Sequence, residues 1–466
     1  MEMPTVLEAA AAIRDRTCSA RELTDSVIDA VERVNPTLNA CCHLDPEAAR
    51  RDADRIDRAL AADDALGVLA GVPFGVKDLE DCAGMPTTRG SRWFLGGPPA
   101  PRDDIHVARL RAAGAIPIGK TTAPEFGTWA YTASPALGVT RNPWNLDRTP
   151  GGSSGGSAAL VAAGCLPFAT ASDGGGSIRT PAAFCGLPGL KASYGRIPGF
   201  GITTLSQNAV VGSLATTIAD TALLLDVMAG PDRRDRTCLP APPTVYTRVI
   251  ETLDVEGLRV GWSTDLGFAI VDDEVAAITE AAAEELIRAA KLRVQSVPIE
   301  FDDYIGVYSK MEGVDMWIDI PPGLHPERAD ELDLDVRPGW DRAATITLPK
   351  FAGVYRARRE IEARCADLFE SIDVLLTPAT ATAAFAAAGP MPTVIAGQRT
   401  HAGMSVPFSM LANICNLPSI SLPAGRTHDG MPIGLLVTAD RHREDVCLRL
   451  GRIFEQHCPW PRHAPA

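Results

Sequence analysis

This 466-residue chain has no apolar run approaching the roughly 18 residues that cross a bilayer, and residues 1–5 lack a basic segment leading into an apolar one. A cytoplasmic protein that does not engage a membrane is therefore expected. A local cluster of Lys and Arg is also missing: 44 basic residues against 58 acidic ones give a formal charge of −14. A polyphosphate backbone calls for a basic field, which argues against nucleic acid as a direct partner. Cys-x-x-Cys does not occur. The eleven cysteines are odd in number and scattered, and Cys41 and Cys42 are neighbours too close for an ordinary bridge. Reduced thiols are expected, acting as small buried hydrophobes rather than nucleophiles.

What is present suffices for a large core, with 46% hydrophobic and 22% charged residues. Ser19-Ala-Arg-Glu22 has the capping-box pattern, and Leu23, Val27, Ala30 and Val34 then recur at helical spacing up to Asn35-Pro36. One amphipathic helix ending at that proline is expected to start the fold. Residues 72–76 read as a strand, 104–113 as a helix closed by Gly114, and 115–118 as another strand. The rhythm resumes with strands over 258–262 and 292–297 flanking a helix over 272–290, and with late strands at 373–376 and 419–422. No Ser/Gly linker divides the chain. Residues 302–356 are the least regular, with Tyr304, Tyr308, Trp317 and Trp340 scattered among prolines. Two readings stand for them: a cover over a substrate pocket, or an insertion packed on the surface.

The most unusual stretch is Gly151-Gly-Ser-Ser-Gly-Gly-Ser157, which runs straight into the helix former Ala158-Ala-Leu-Val-Ala-Ala163. A glycine-rich turn feeding a helix start exposes backbone N–H groups that favour a negative charge or a polarised oxygen. No lysine follows these glycines, which argues against a phosphate loop there. Ser153 and Ser154 each satisfy Gly-x-Ser-x-Gly, but a nucleophile elbow needs a buried strand just before the serine, and residues 141–150 have the composition of a loop. A second dense segment, Ser172-Asp-Gly-Gly-Gly-Ser-Ile-Arg-Thr-Pro181, can turn successive backbone N–H groups toward one point beside Ser177, as an oxyanion hole requires.

Together with Gly71-Val-Pro-Phe-Gly-Val-Lys77-Asp78, Gly119-Lys-Thr-Thr-Ala-Pro-Glu-Phe-Gly127, Gly138-Val-Thr-Arg-Asn-Pro-Trp144 and Met431-Pro-Ile-Gly434, these segments closely resemble the amidase signature family in type, order and spacing. The resemblance covers nearly the whole chain. It implies one α/β/α domain over 1–466, built on a large mixed, mostly parallel twisted sheet covered by helices, with a catalytic core at about 60–230. By motif, Ser177 corresponds to the nucleophile, Ser153 to a bridging serine preceded by a cis peptide bond, and Lys77 to the base. The oxyanion donors become the backbone N–H groups of Gly174, Gly175, Gly176 and Ser177, while Ser154, Asp173 and Arg179 support the loops. No metal or organic cofactor is implied.

A serine hydroxyl is a poor nucleophile at neutral pH, and a lysine serves as its base only when burial lowers the lysine pKa. Lys77 is placed for that, because Val72, Phe74 and Val76 alternate onto one face of a strand and leave Lys77 on the other, near its end. The resemblance thus implies an amidohydrolase that forms an acyl-enzyme on a small-molecule amide, with a homodimer left open. Gly127, Thr128 and Trp129 are expected near the acyl pocket, where Trp129 would favour an apolar or aromatic acyl group. Two alternatives remain: the glutaminase subunit of a tRNA-dependent amidotransferase, or a Ser-His-Asp esterase using Ser153 or Ser154 with His401 or His428.

Overall fold

The computed structural model describes residues 2–199, 207–318, 324 and 326–465. Among the described residues, eleven strands form one sheet. The first six are β1 (Cys41–Leu44), β2 (Pro73–Lys77), β3 (Ile116–Thr121), β4 (Phe168–Asp173), β5 (Gly189–Lys191) and β6 (Val210–Ala215). The rest are β7 (Arg259–Trp262), β8 (Arg293–Val294), β9 (Val374–Pro378), β10 (Ser419–Arg426) and β11 (Pro432–Ala439). Across the sheet they run β1-β3-β2-β4-β6-β5-β10-β11-β9-β7-β8. Helices cover it, and among the described residues none is long and apolar enough to cross a membrane.

The expected large mixed sheet is present, but parallel pairing does not dominate it. Parallel neighbours are confined to the two flanks, β3-β2-β4 and β9-β7-β8. From β4 to β9 every pairing is antiparallel, as is β1 with β3. One cause is the β10–β11 hairpin, joined by a short turn and inserted near the centre, where a helical crossover would have been needed to keep those two strands parallel.

Two further expectations are corrected. A helix over Val6–Arg14, with its own capping box at Thr5 and Glu8, precedes the one that follows Ser19. The second helix runs Ala20–Leu38, through Pro36, and ends at Asn39 in the left-handed conformation. Pro36 lies in the last turn, where only one intrahelical hydrogen bond is forfeited, and Asn35 Oδ1 takes up the N–H groups of Ala40 and Cys41 at 2.8 and 2.7 Å. The strand expected over 292–297 is only two residues long and exposed at the sheet edge, a common way of blunting an unpaired edge.

Candidate active site

β2 is buried along its whole length and delivers Lys77 at its C-terminal end, with no side-chain exposure to solvent. Lys77 Nζ lies 2.8 Å from Ser153 Oγ, 2.8 Å from Ser154 Oγ and 3.0 Å from Ser172 Oγ, with the Ser172 carbonyl at 3.4 Å. Desolvation pushes its pKa down to about 8, opposed by the negative charges of Glu80 and Asp173. The Gly152–Ser153 peptide bond is cis. Ser154 donates its hydroxyl to the Ser172 carbonyl at 3.2 Å, so its oxygen is left to accept from Lys77. Ser153 Oγ has no hydrogen bond other than that to Lys77 among the described residues.

Beyond β4 the chain turns through residues 174–178 into the helix Arg179–Cys185. Asp173 organises that turn. Its carboxylate accepts from Gly176 N–H at 2.8 Å, Ile178 N–H at 3.1 Å, and Arg179 Nε and Nη2 at 2.9 and 2.7 Å. Burial alone would raise the carboxyl pKa; the Arg179 guanidinium overrides it and holds the group well below the usual carboxylate range. The Gly176 N–H is therefore committed to Asp173 and is not free for a substrate oxygen, which removes it from the expected donor set. No hydrogen bond engages the N–H groups of Gly174, Gly175 or Ser177 among the described residues. Ser177 is half-buried, its hydroxyl is without a hydrogen bond among the described residues, and its carbonyl accepts from Ser154 N–H at 3.2 Å.

Residues that no motif flagged complete this brace. Asn413, fully buried, donates to Asp173 Oδ1 at 3.0 Å and accepts from Arg179 Nη2 at 2.6 Å. Ser409 takes Arg179 Nη1 on its carbonyl at 2.8 Å and donates its hydroxyl to the Gly175 carbonyl at 2.6 Å. Ser172 joins them: its place at the head of a glycine turn gives no sign in the sequence of its 3.0 Å contact with Lys77 Nζ. A buried Glu80–His106 pair at 3.0 Å lies nearby, with Glu80 also acting on Lys77.

Gly114 to Thr121 spells Gly-x-x-x-x-Gly-Lys-Thr, the phosphate-loop pattern, but it lies on β3 instead of between a strand and a helix. Its Lys120 is buried and donates to the Glu80 carbonyl and to Thr87 Oγ1 at 2.9 Å, so the match has no phosphate-binding geometry. Among the described residues no group of three or more His, Cys, Asp and Glu side chains is gathered as a metal ion would require.

A cavity of about 1190 Å³ opens onto Ser177 and is lined by Gly127, Thr128 and Trp129 together with Gly152, Gly175 and Gly176. The sequence-expected pocket residues are thus brought to the serine turn. Trp129 is half-buried and stacks at 6.2 Å on Tyr131. The 302–356 segment, of which 319–323 and 325 lie outside the described residues, is largely helical, over Ile305–Ile318, Arg337–Ala343 and from Leu348 on, and contributes Tyr308, Glu312, Val336 and Trp340 to the wall. Trp340 packs 4.9 Å from Phe126 and 5.8 Å from Trp93. The late histidines take no part with the serines: His401 pairs with Asp303 at 3.0 Å and His428 with Glu274 at 2.9 Å.

The family model described as Amidase matches residues 22–311 and 342–448, leaving a gap within the irregular segment. The chain belongs to the amidase signature family. Amidase signature relatives include an acylamidase of Rhodococcus erythropolis, 36% identical over 98% of this chain and 96% of that protein. One component of a glutamyl-tRNA(Gln) amidotransferase from a Cyanothece species is 34% identical over 96% of each chain. Among solved structures, a bacterial aryl acylamidase superposes with a TM-score of 0.92 at 27% identity, covering 98% of this chain and 97% of its own. A 6-aminohexanoate cyclic dimer hydrolase complexed with substrate gives 0.89 at 31%, covering 99% and 98%. The chain is accordingly an amidase-family hydrolase.

Proposed function

We propose that this chain hydrolyses a carboxylic amide to an acid plus ammonia or an amine, through an acyl-enzyme on Ser177, with Ser153 as proton shuttle and Lys77 as base. The observation that carries the reading is the fully buried Lys77 amine 2.8 Å from Ser153 Oγ, with its pKa drawn down to about 8. A neutral amine has two N–H donors and one lone pair. Ser154 and Ser172 can take the two N–H groups, which leaves the lone pair for the Ser153 proton.

In the proposed cycle Ser177 Oγ attacks the amide carbon while its proton passes to Ser153 and the Ser153 proton passes to Lys77. The carbonyl oxygen, now anionic, is met by the N–H groups of Gly174, Gly175 and Ser177. Ser153 then hands a proton to the departing nitrogen, which leaves badly as an anion, and Lys77 reprotonates Ser153. Water repeats the relay and releases the acid from Ser177. Gly127, Thr128 and Trp129 form the acyl side of the pocket, and Trp129 favours an apolar or aromatic acyl group.

Purified chain assayed on aliphatic amides, aryl amides, anilides, glutamine and esters tests the reading. Ser177→Ala is expected to abolish turnover with the fold intact, and Lys77→Ala to cripple amide cleavage. Near-normal rates in either variant would refute the roles. A second reading, the glutaminase subunit of a tRNA-dependent amidotransferase, draws on the amidotransferase relatives at 34% to 36% identity. Cleavage of simple amides by the isolated chain, without preference for glutamine, argues against it.

A further inference from the structure

Among the described residues, Glu312 is the one acidic side chain on the cavity wall beside the serine turn. Both its carboxylate oxygens lie 3.6 Å from the point where a Cβ on Gly174 would stand, so the carboxylate looks onto the same turn that offers the proposed oxyanion donors. Among the described residues no Lys, Arg or His nitrogen comes within ion-pair distance of it. The basic groups on the same cavity, Lys310, Arg342, Lys350 and His401, are exposed, and His401 pairs with Asp303. The other acid lining the cavity, Asp335, already accepts from the Tyr131 hydroxyl at 3.1 Å.

Two further observations mark the spot as built for a polar ligand. Asn208, only 1% exposed, lies beside Glu312, its carboxamide within reach of that carboxyl and otherwise without a partner among the described residues. Buried amides are nearly always paired, and the one group this amide has to pair with is a carboxyl that has no cation of its own. Tyr308 closes the other side: its hydroxyl occupies the point where a Cβ on Gly175 would stand and is within reach of the Glu312 carboxyl.

An anionic group this near the oxyanion turn would oppose the charge that develops in the reaction, unless a cation on the substrate offsets it. Desolvation, with Asp315 and Asp173 adding to it, pushes the Glu312 carboxyl up to about 8, and a bound cation would favour its ionised form. The residue also lies at the break in the family match, which stops at 311 and resumes at 342. It belongs to the stretch in which this chain differs from the common pattern.

We propose that Glu312 is a specificity-determining residue that selects amides carrying an ammonium group within one or two carbons of the scissile carbonyl. The inference rests on the amidohydrolase reading above. Two substrate pairs test it at pH 7, alaninamide against isobutyramide and β-alaninamide against butyramide, each exchanging an ammonium for a methyl group. The chain is expected to favour at least one ammonium member in kcat/KM by about ten-fold or more. Glu312→Gln should collapse that ratio toward one and Glu312→Asp should keep part of it, whereas a merely structural role would lower both members alike. A ratio near one in the unaltered chain, or one unmoved by Glu312→Gln, would overturn the proposal. If none of the four amides is cleaved, the amidohydrolase reading is what suffers. The inference is then decided by calorimetry on Ser177→Ala: tighter binding of an ammonium member that Glu312→Gln removes supports it, and equal binding of both members refutes it.

Discussion

A methyl group on Gly127 would stand 3.1 Å from Ser153 Oγ and 2.8 Å from Leu79 Cδ1. The bare backbone there is what lets the cavity loop pass over the shuttle serine. Gly127 also has φ +74°, which an L side chain adopts only at a cost of about 1 kcal/mol. Gly127→Ala is therefore expected to displace the Ser153 hydroxyl from its 2.8 Å contact with Lys77 and to lower kcat by about ten-fold or more, with only a modest loss of thermal stability. Saturation kinetics beside a melting curve would check this. An unchanged kcat would show that the hydroxyl does not need its place.

The depressed pKa of Lys77 sets the pH dependence. Its base form is the neutral amine, so activity should rise with pH and level off above about 8, where the folded-state group has lost its proton. Below that point the rate should fall by about ten-fold per pH unit, since each unit cuts the neutral fraction by that factor. A pH–rate profile on an uncharged amide, over a range in which the chain stays folded, reads this directly. A flat profile from pH 5 to 9 would contradict a lysine base.

Much of this site was legible because its groups sit in dense local motifs. Lys77 ends a short apolar strand, and Ser153 and Ser177 lie in glycine-rich turns; it is the resemblance of these motifs together to the family's that singled the three residues out, since none of them does so alone. The bracing groups carried none. Asn413 reaches Asp173 across 240 positions, and Ser409 reaches Gly175 across 234, from the helix Ser409–Ile414. Nothing in its sequence announces a partner so remote. Sheet direction was hidden for a similar reason: the βαβ rhythm of the first part is real, but it does not specify that β10 and β11 pair as a central hairpin. The over-long 292–297 strand and the helix stop at Pro36 failed at boundaries, where tertiary contacts decide how far an element extends.

Asp173 and Arg179 are both fully buried and joined at 2.7 Å, and the turn N–H groups depend on the same carboxylate. Asp173→Asn removes the charge and leaves Arg179 without its counter-ion, which typically costs about 3–5 kcal/mol. Urea unfolding should show a loss of this order, together with loss of activity as the turn around Ser177 slackens. The sign with pH follows from the depressed carboxyl pKa. The pair's contribution is complete above the ordinary Asp range and is lost as pH falls through the lower folded-state value, so the acid limb of the stability curve should move less with pH in Asp173→Asn. A variant as stable as the unaltered chain would mean the turn is held by other means.

Trp340 is 2% exposed and ties the irregular segment to the cavity loop through Phe126 and Trp93. That tie separates the two readings left open for 302–356. If the segment covers the pocket, Trp340→Ala frees it from Phe126, which directly precedes the pocket residues Gly127, Thr128 and Trp129. Substrate binding should then suffer more than chemistry, with KM rising by about ten-fold while kcat falls by a smaller factor. If the segment is only surface packing, Trp340→Ala should reduce stability by the several kcal/mol typical of a buried Trp, and kinetics at a temperature where the chain remains folded should be unaltered. Measuring KM, kcat and the unfolding midpoint on one preparation distinguishes the two, because a cover that contributes nothing to KM is not a cover.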